Sequence, residues 1–356
     1  MMSHIPKVFR TPLPFITRVA VCRLAIFFGV VAAVGGTFWA RCIDMPGRSY
    51  QGPRVELAPQ TTALAVELER DVRMLAGEIG MRSTFHPRQY AQAALWAKEQ
   101  LAATGLDVID HSTVARGSPV PNIQVTLRGT ATPEEFIVVG AHIDSFQGTP
   151  GADDNASGVA ALLALARRMS PLAGTTNAPY HSIRFVLFVN EEPPAFWTDD
   201  MGSRVYVRQC VAAGDRIAAM FSLESMGTFT DEPNSQSYPP PLGWCYPTTG
   251  NFLAIVGNLS SVGLTRRAVG VFRDSTPLAC EGACLPWWLP GVGWSDHSSF
   301  WDAGIPAVMV TTTAPFRNPR YHTPQDTPDM LNYPAMALAV EGLERVIADA
   351  ARAESP

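Results

Sequence analysis

The chain has 356 residues, 27 lysines and arginines against 32 acidic residues, and 47% hydrophobic residues, for a formal net charge of -5. It carries no basic stripe with which to neutralise phosphates, which argues against nucleic acid as a partner. With its N-terminal segment set aside, roughly 300 residues remain, enough for one large α/β domain with its own core.

Residues 1–23 form a basic segment with Lys7, Arg10, Arg18 and Arg23, expected on the cytoplasmic side. Residues 24–40 are uncharged, and Arg41 closes them. At about 1.5 Å per residue this stretch makes a helix of roughly 25 Å. Arg23 and Arg41 can snorkel and lengthen it towards the ~30 Å hydrocarbon core. We expect a transmembrane anchor, through which the chain contacts the membrane. The rival is a cleaved signal peptide, for which Val34 and Gly36 are small enough but Phe38 and Ala40 fit poorly. Arg41, Arg48 and Arg54 leave only a slight positive-inside bias. Either route puts the remainder outside the cytoplasm, in a periplasmic or extracellular space.

A Pro/Gly-containing linker over residues 41–58 precedes the main domain, residues 59–356, in which no internal boundary is visible. Two amphipathic helices are expected over Thr61–Gly80 and Pro87–Thr104, with Gly105 placed to stop the second. Phe136–Gly140 is the short apolar run of a buried parallel strand. Gly158–Met169 reads as a helix. Ile183–Val189, Ala219–Leu223, Phe252–Val256 and Ala307–Thr311 read as strands, and Pro334–Ala351 as a last helix. This alternation predicts an α/β fold, a three-layer helix-sheet-helix sandwich on a mostly parallel mixed sheet, preceded by one membrane segment. The Cys280-Glu-Gly-Ala-Cys284 spacing suits a small loop disulfide in an oxidising compartment. As a metal motif it is poor, since it is not the two-residue zinc knuckle and no second pair follows.

Polar residues cluster just after these apolar strands, where open α/β sheets bind ligands. His142 and Asp144, two apart, share one face of a strand end. Asp153 and Asp154 sit between glycines ahead of a helix, where an ordinary cap would account for one acid. Glu191 and Glu192 leave an apolar strand together, which is costly if they enter a core unpaired. Glu224 ends another strand, and His322 stands in a loop after a fourth. Singly, each has a bland reading as an incidental pair, a cap or a solvated end. Five positions at or after strand ends, offering His, Asp, Glu, Glu and His in one domain, are much harder to dismiss.

The segments VVGAHIDS, GADDNASG, NEE, SLESMG, SDHSSFW and RNPRYHTPQDTPD, in this order, resemble the zinc aminopeptidase family of peptidase clan MH, which is related to the glutaminyl cyclases. The resemblance runs from about Asn122 to Asn332. It implies a two-zinc exopeptidase that hydrolyses peptides at free N-termini, with two Zn2+ per chain. It also implies that His142 and Glu224 hold one zinc, Glu192 and His322 the other, and Asp154 bridges them. Asp144 would orient His142, Glu191 would be the general base acting on a metal-bridging water, and Tyr321 would help to stabilise the tetrahedral intermediate. Oxygen and imidazole donors do suit zinc.

Some positions depart from the family pattern. Pro193-Pro194 and the stretch from Ala195 to Asp200 replace a short glycine-containing link, and Glu224 stands where many relatives have Asp. Asp296, beside His297, is expected to act from behind the ligands. Trp287, Trp288, Trp294 and Trp301 cluster in a loop-like stretch; core packing is their default, but Trp288 and Trp294 are candidates for the wall of a substrate pocket. Cyclase, carboxypeptidase or deacylase chemistry on the same scaffold remains an alternative. A non-catalytic receptor would usually show a broken ligand set, and this one is complete.

Overall fold

The computed structural model describes residues 18–53, 55–112 and 120–352. Lys7, Arg10 and Arg54 lie outside the described residues, as does the side chain of Arg18. Helix α1 (Arg18–Phe38) continues through a wider turn, Trp39–Ile43. The stretch Val19–Ile43, 25 residues, is long and apolar enough to cross a membrane. It begins earlier than the expected 24–40 span, so Arg23 lies on the helix rather than ahead of it.

Among the described residues eight strands form one sheet: β1 (Val108–His111), β2 (Asn122–Leu127), β3 (Thr132–His142), β4 (His181–Phe188), β5 (Arg216–Glu224), β6 (Phe252–Gly257), β7 (Ala279–Cys284) and β8 (Ala307–Thr311). Their spatial order is β1-β2-β4-β3-β5-β8-β6-β7. The inner four, β4, β3, β5 and β8, are parallel, with Val139 opposite Phe185 on one side and Phe221 on the other. β2 and β6 flank them antiparallel. The inner strands are buried on both faces, which is why they read as unbroken apolar runs.

Alternate residues serve two cores. Ile137, Val139, Phe185, Leu187 and Phe221 pack against α2 (Pro59–Val72), α3 (Pro87–Ala102) and α4 (Gly158–Met169). Val138, Val186, Phe188 and Met220 pack beneath α5 (Gly202–Ala213) and near Phe300. α6 (Val262–Ser275) and α8 (Tyr333–Ala350) join the first layer, and α7 (His297–Asp302) the second. α4 buries ten of its twelve residues, Gly158 to Ala166 and Met169. At about 1.5–3 kcal/mol per buried Val, Leu or Met it is a principal stabiliser of the sandwich.

Pro59 and Pro87 start α2 and α3, where a missing amide costs nothing. A wider turn carries α2 on to Ile79, and Gly80 ends it at φ +79°. The expected Cys280–Cys284 bridge is not formed, and both thiols are free. They lie in β7, not in a loop. Four residues of extended chain separate them by roughly 13 Å, about twice the reach of a disulfide.

Candidate metal centre

Because β3, β4, β5 and β8 run parallel, their carboxyl ends open on one edge of the sheet. His142 is the last residue of β3, and Glu224 the last of β5. Glu191 and Glu192 follow β4, and His322 comes from the loop after β8. Two groups of potential ligand atoms form there, His142-Asp154-Glu224 and Asp154-Glu192-His322, each with its atoms within 4.8 Å of one another. Asp154 belongs to both: its Oδ1 lies 3.2 Å from His142 Nε2 and its Oδ2 2.9 Å from His322 Nε2. Glu224 Oε2 lies 3.3 Å from His142 Nε2, and Glu192 Oε1 3.3 Å from His322 Nε2. Glu191 is also near, its Oε2 3.9 Å from His142 Nε2.

The loop that delivers Asp154 is pinned on every side. Asp153 accepts from Gly227 N (2.7 Å), Thr228 Oγ1 (2.6 Å) and Asn318 Nδ2 (3.0 Å). Asp326 accepts from the amides of Asp153 (2.9 Å) and Asp154 (3.2 Å). Gly151 opens the loop at φ +60°, and a Cβ there would meet Asp154 O at 2.4 Å. The adjacent aspartates therefore do different work: Asp153 fastens the loop and Asp154 faces the centre. His322 is held between the rings of Phe146 (4.0 Å) and Tyr321 (3.8 Å).

Asp144 faces the His142 ring, but with its main chain closer than its carboxylate. Its main-chain carbonyl lies 3.1 Å from His142 Nδ1, while its carboxylate is 3.6 Å away. The carboxylate instead accepts the amides of Glu191 (3.2 Å) and Glu192 (3.0 Å). Asp296 is fully buried within electrostatic reach of His142 and Glu224, and neither of its oxygens has a hydrogen-bond partner. The nearby Ser203 hydroxyl is engaged with Ser299 Oγ (2.9 Å).

Burial pushes the Glu191 carboxyl well above the usual range, and Glu192, Glu224 and Asp296 add to it. Burial likewise raises Glu192 to about 8, with Asp154 contributing, and Asp296 to about 7. Burial acts the same way on Asp154, but His142 and His322 outweigh it and hold this carboxyl below its ordinary value. His322 is driven the other way, to about 10, because Asp154 and Glu192 overcome its burial. Acids thus crowd around two histidines, a surplus of negative charge that a cation would relieve. His142 Nε2 and Glu192 Oε1 are buried without a hydrogen-bond partner. Nitrogen and carboxylate donors left open in this way fit zinc.

An apolar cavity of about 100 Å³ adjoins the centre, with Glu224 and Tyr321 in its lining. Ala254, Val256, Val292, Met309 and Phe316 supply apolar walls, and so does Trp294. Trp288 does not: it is 66% exposed and lies outside the lining of this cavity. The segment after Glu192 leans on this wall, with Trp197 Nε1 donating to Gly293 O (3.3 Å).

Sequence reasoning did not assign roles to Arg82, Asp153, Ser295 or Asp326. Ser295 Oγ donates to Glu224 Oε2 (2.8 Å). Arg82 is fully buried and donates to five main-chain carbonyls, among them Ile143 (3.0 Å) and Gly151 (2.9 Å). Acidic residues placed inside the quoted segments were the available signal for Asp153 and Asp326. Nothing marked Arg82.

Residues 122–346 match the model of peptidase family M28. The Escherichia coli protein YfbL is 35% identical over 311 residues, covering 84% of this chain and 93% of that protein. A probable leucine aminopeptidase of Arthroderma otae is 29% identical over 220 residues, 60% of this chain and 52% of that protein. Among solved structures, a Bacteroides thetaiotaomicron glutaminyl cyclase shares the fold with TM-score 0.59 and 16% identity, covering 80% of this chain and 97% of that one.

Proposed function

The chain belongs to peptidase family M28, and from that we propose that it is an aminopeptidase holding two zinc ions, which removes single residues from free peptide N-termini. The observation that carries this reading is the position of Asp154. Each of its oxygens faces a different histidine, and each histidine has its own glutamate. His142, Asp154 and Glu224 would hold one ion, and Asp154, Glu192 and His322 the other. The ions, when bound, would acidify a water and polarise the scissile carbonyl.

The remaining work falls to the chain's own residues. Glu191, with its carboxylate beside His142 and its pKa raised by burial, is suited to take a proton from the attacking water and return it to the leaving amine. Asp144 fixes the backbone of Glu191 and Glu192, so both carboxylates leave β4 in a set direction. The acids not used by the metals would receive the substrate's ammonium group, which restricts cleavage to chain ends. The apolar cavity beside Glu224 and Tyr321 would take the first side chain and favour an apolar one. Tyr321, in the same lining, would donate to the developing oxyanion.

We also assign α1 as a retained membrane anchor, with the catalytic domain outside the cytoplasm. Cys42 and Ile43, the last residues of the apolar stretch, and Met45 just beyond it are buried in the domain, so the end of the helix belongs to the fold.

The test uses the full chain in detergent with aminoacyl anilides, free or N-acetylated. Turnover of the free series alone, abolished by a chelator and restored by two zinc equivalents, is expected. Cleavage of the blocked series would move the assignment to a carboxypeptidase or deacylase. A folded protein binding one zinc and cyclising N-terminal glutamine would make it a cyclase.

A further inference from the structure

The end of α1 is fastened to the catalytic domain. Arg266 Nη1, on α6, donates to the carbonyls of Ala40 (2.7 Å), Arg41 (3.3 Å) and Asp44 (2.6 Å), groups that a helix terminus leaves unpaired. Arg273 Nη1, two turns along, donates to Met45 (3.2 Å), Pro46 (3.1 Å) and Gly47 (3.3 Å). The amide of Cys280 donates to Ser49 Oγ (3.0 Å). Ile43 packs against Ala283, Leu285 and Val292, with Leu242 and Leu289 around them. The loops that hold Ile43 also carry three tryptophans facing solvent: Trp244, 91% exposed, Trp287, 64%, and Trp288, 66%. Arg41 and Arg48 are exposed at the same exit.

We propose that this face seats the catalytic domain on the bilayer that α1 crosses, with Trp244, Trp287 and Trp288 in the interfacial layer. The proposal rests on the assignment of α1 as a retained anchor. Indole rings favour this layer because one edge is apolar and the ring nitrogen can meet water or headgroups. Arg41 and Arg48 can snorkel to lipid phosphate groups beside them. A free linker would let the domain drift from the membrane. Six hydrogen bonds from two arginines take up that slack within a few residues of the apolar helix. The loops that meet the lipid also line the apolar pocket, through Leu242, Leu285 and Val292, so the pocket lies close behind the seated face.

The full chain, with Cys22→Ser and Cys245→Ser, is spin-labelled at Trp288→Cys, Val211→Cys or Ile26→Cys and reconstituted in nanodiscs containing anionic lipid. Accessibility to oxygen and to a water-soluble nickel chelate is then compared. Val211, 60% exposed on α5, reports water, and Ile26, 68% exposed on α1, reports lipid. The expected oxygen-to-nickel ratio at position 288 is severalfold above that at 211 and approaches that at 26. A ratio at 288 equal to that at 211, with 26 favouring oxygen, overturns the seating and leaves the anchor standing. Nickel access at position 26 removes the anchor, and the seating with it. A label at 288 shielded from both reagents means a protein partner covers this face instead of lipid.

Discussion

Asp144 meets the imidazole of His142 with its main-chain carbonyl at 3.1 Å, while its carboxylate turns to the amides that follow β4. One residue thus orients a candidate ligand and sets the direction of both glutamates. Asp144→Asn keeps the carbonyl but places an amide nitrogen against a backbone N–H. Activity should fall by about 10–100-fold, the usual effect of altering groups that position ligands. The histidine contact survives, so zinc content should hold up better than turnover. An equal loss of both would mean that the carboxylate acts mainly on His142.

Glu191→Gln preserves shape and removes the base. Turnover should drop by about 10²–10⁴-fold, the ordinary share of general acid–base catalysis, with two zincs per chain still bound. Full activity in a zinc-loaded Glu191→Gln protein would end the role proposed for this residue.

The two tryptophans proposed together for the pocket part company in the structure. Trp294 lines the apolar cavity, whereas Trp288 faces solvent. Trp294→Ala should shift preference towards bulkier N-terminal side chains in a substrate panel. Trp288→Ala should leave that ranking unchanged. The reverse pattern would place the pocket elsewhere.

His297 offers a pH test away from the ligands. Its ring is fully buried, and burial lowers its pKa to about 4, against an unfolded value near 6.5. The folded protein keeps this histidine neutral, so its contribution to stability is complete above pH 6.5 and is lost as pH falls towards 4. Between pH 7.5 and 5 the loss should be about 2 kcal/mol. Asp296 titrates in the same window, so the useful quantity is the difference between the wild type and His297→Gln. Denaturant midpoints at both pH values should show a shallower pH dependence in the variant, and an unchanged slope would count against it.

What could be read from sequence follows from what each residue must do. The inner strands announced themselves because burial on both faces demands apolar runs, and the acids and histidines at their ends stood out as expensive exceptions. β7 did not, because Ala-Cys-Glu-Gly-Ala-Cys lacks the β-branched residues that mark a strand. The division of labour between Asp153 and Asp154 was hidden for another reason. It depends on Thr228, Asn318 and Asp326, which only the fold brings near. Trp288 and Trp294 differ by direction alone, and a loop has no periodicity from which direction can be read.

Arg82 carries the last prediction. Its guanidinium joins the end of the second helix (Leu75, 3.0 Å; Gly80, 2.9 Å), the exit of β3 (Ile143, 3.0 Å) and the loop before Asp153 (Pro150, 2.6 Å; Gly151, 2.9 Å). It is also a fully buried cation within reach of Asp144, Asp154, Glu192 and Asp326, with burial lowering its pKa to about 10. Arg82→Met would strand five carbonyls and remove that charge, at a cost of about 3–5 kcal/mol in stability. Arg82→Lys keeps the charge but lacks the planar fork that reaches three segments at once. If Arg82 acts mainly through charge, the lysine variant should bind zinc like the wild type. If it acts by holding the Asp154 loop in place, which its bonds to Pro150 and Gly151 favour, both variants should bind zinc more weakly. Zinc titration of the folded variants beside their unfolding midpoints separates the two, and wild-type affinity in both would limit Arg82 to stability alone.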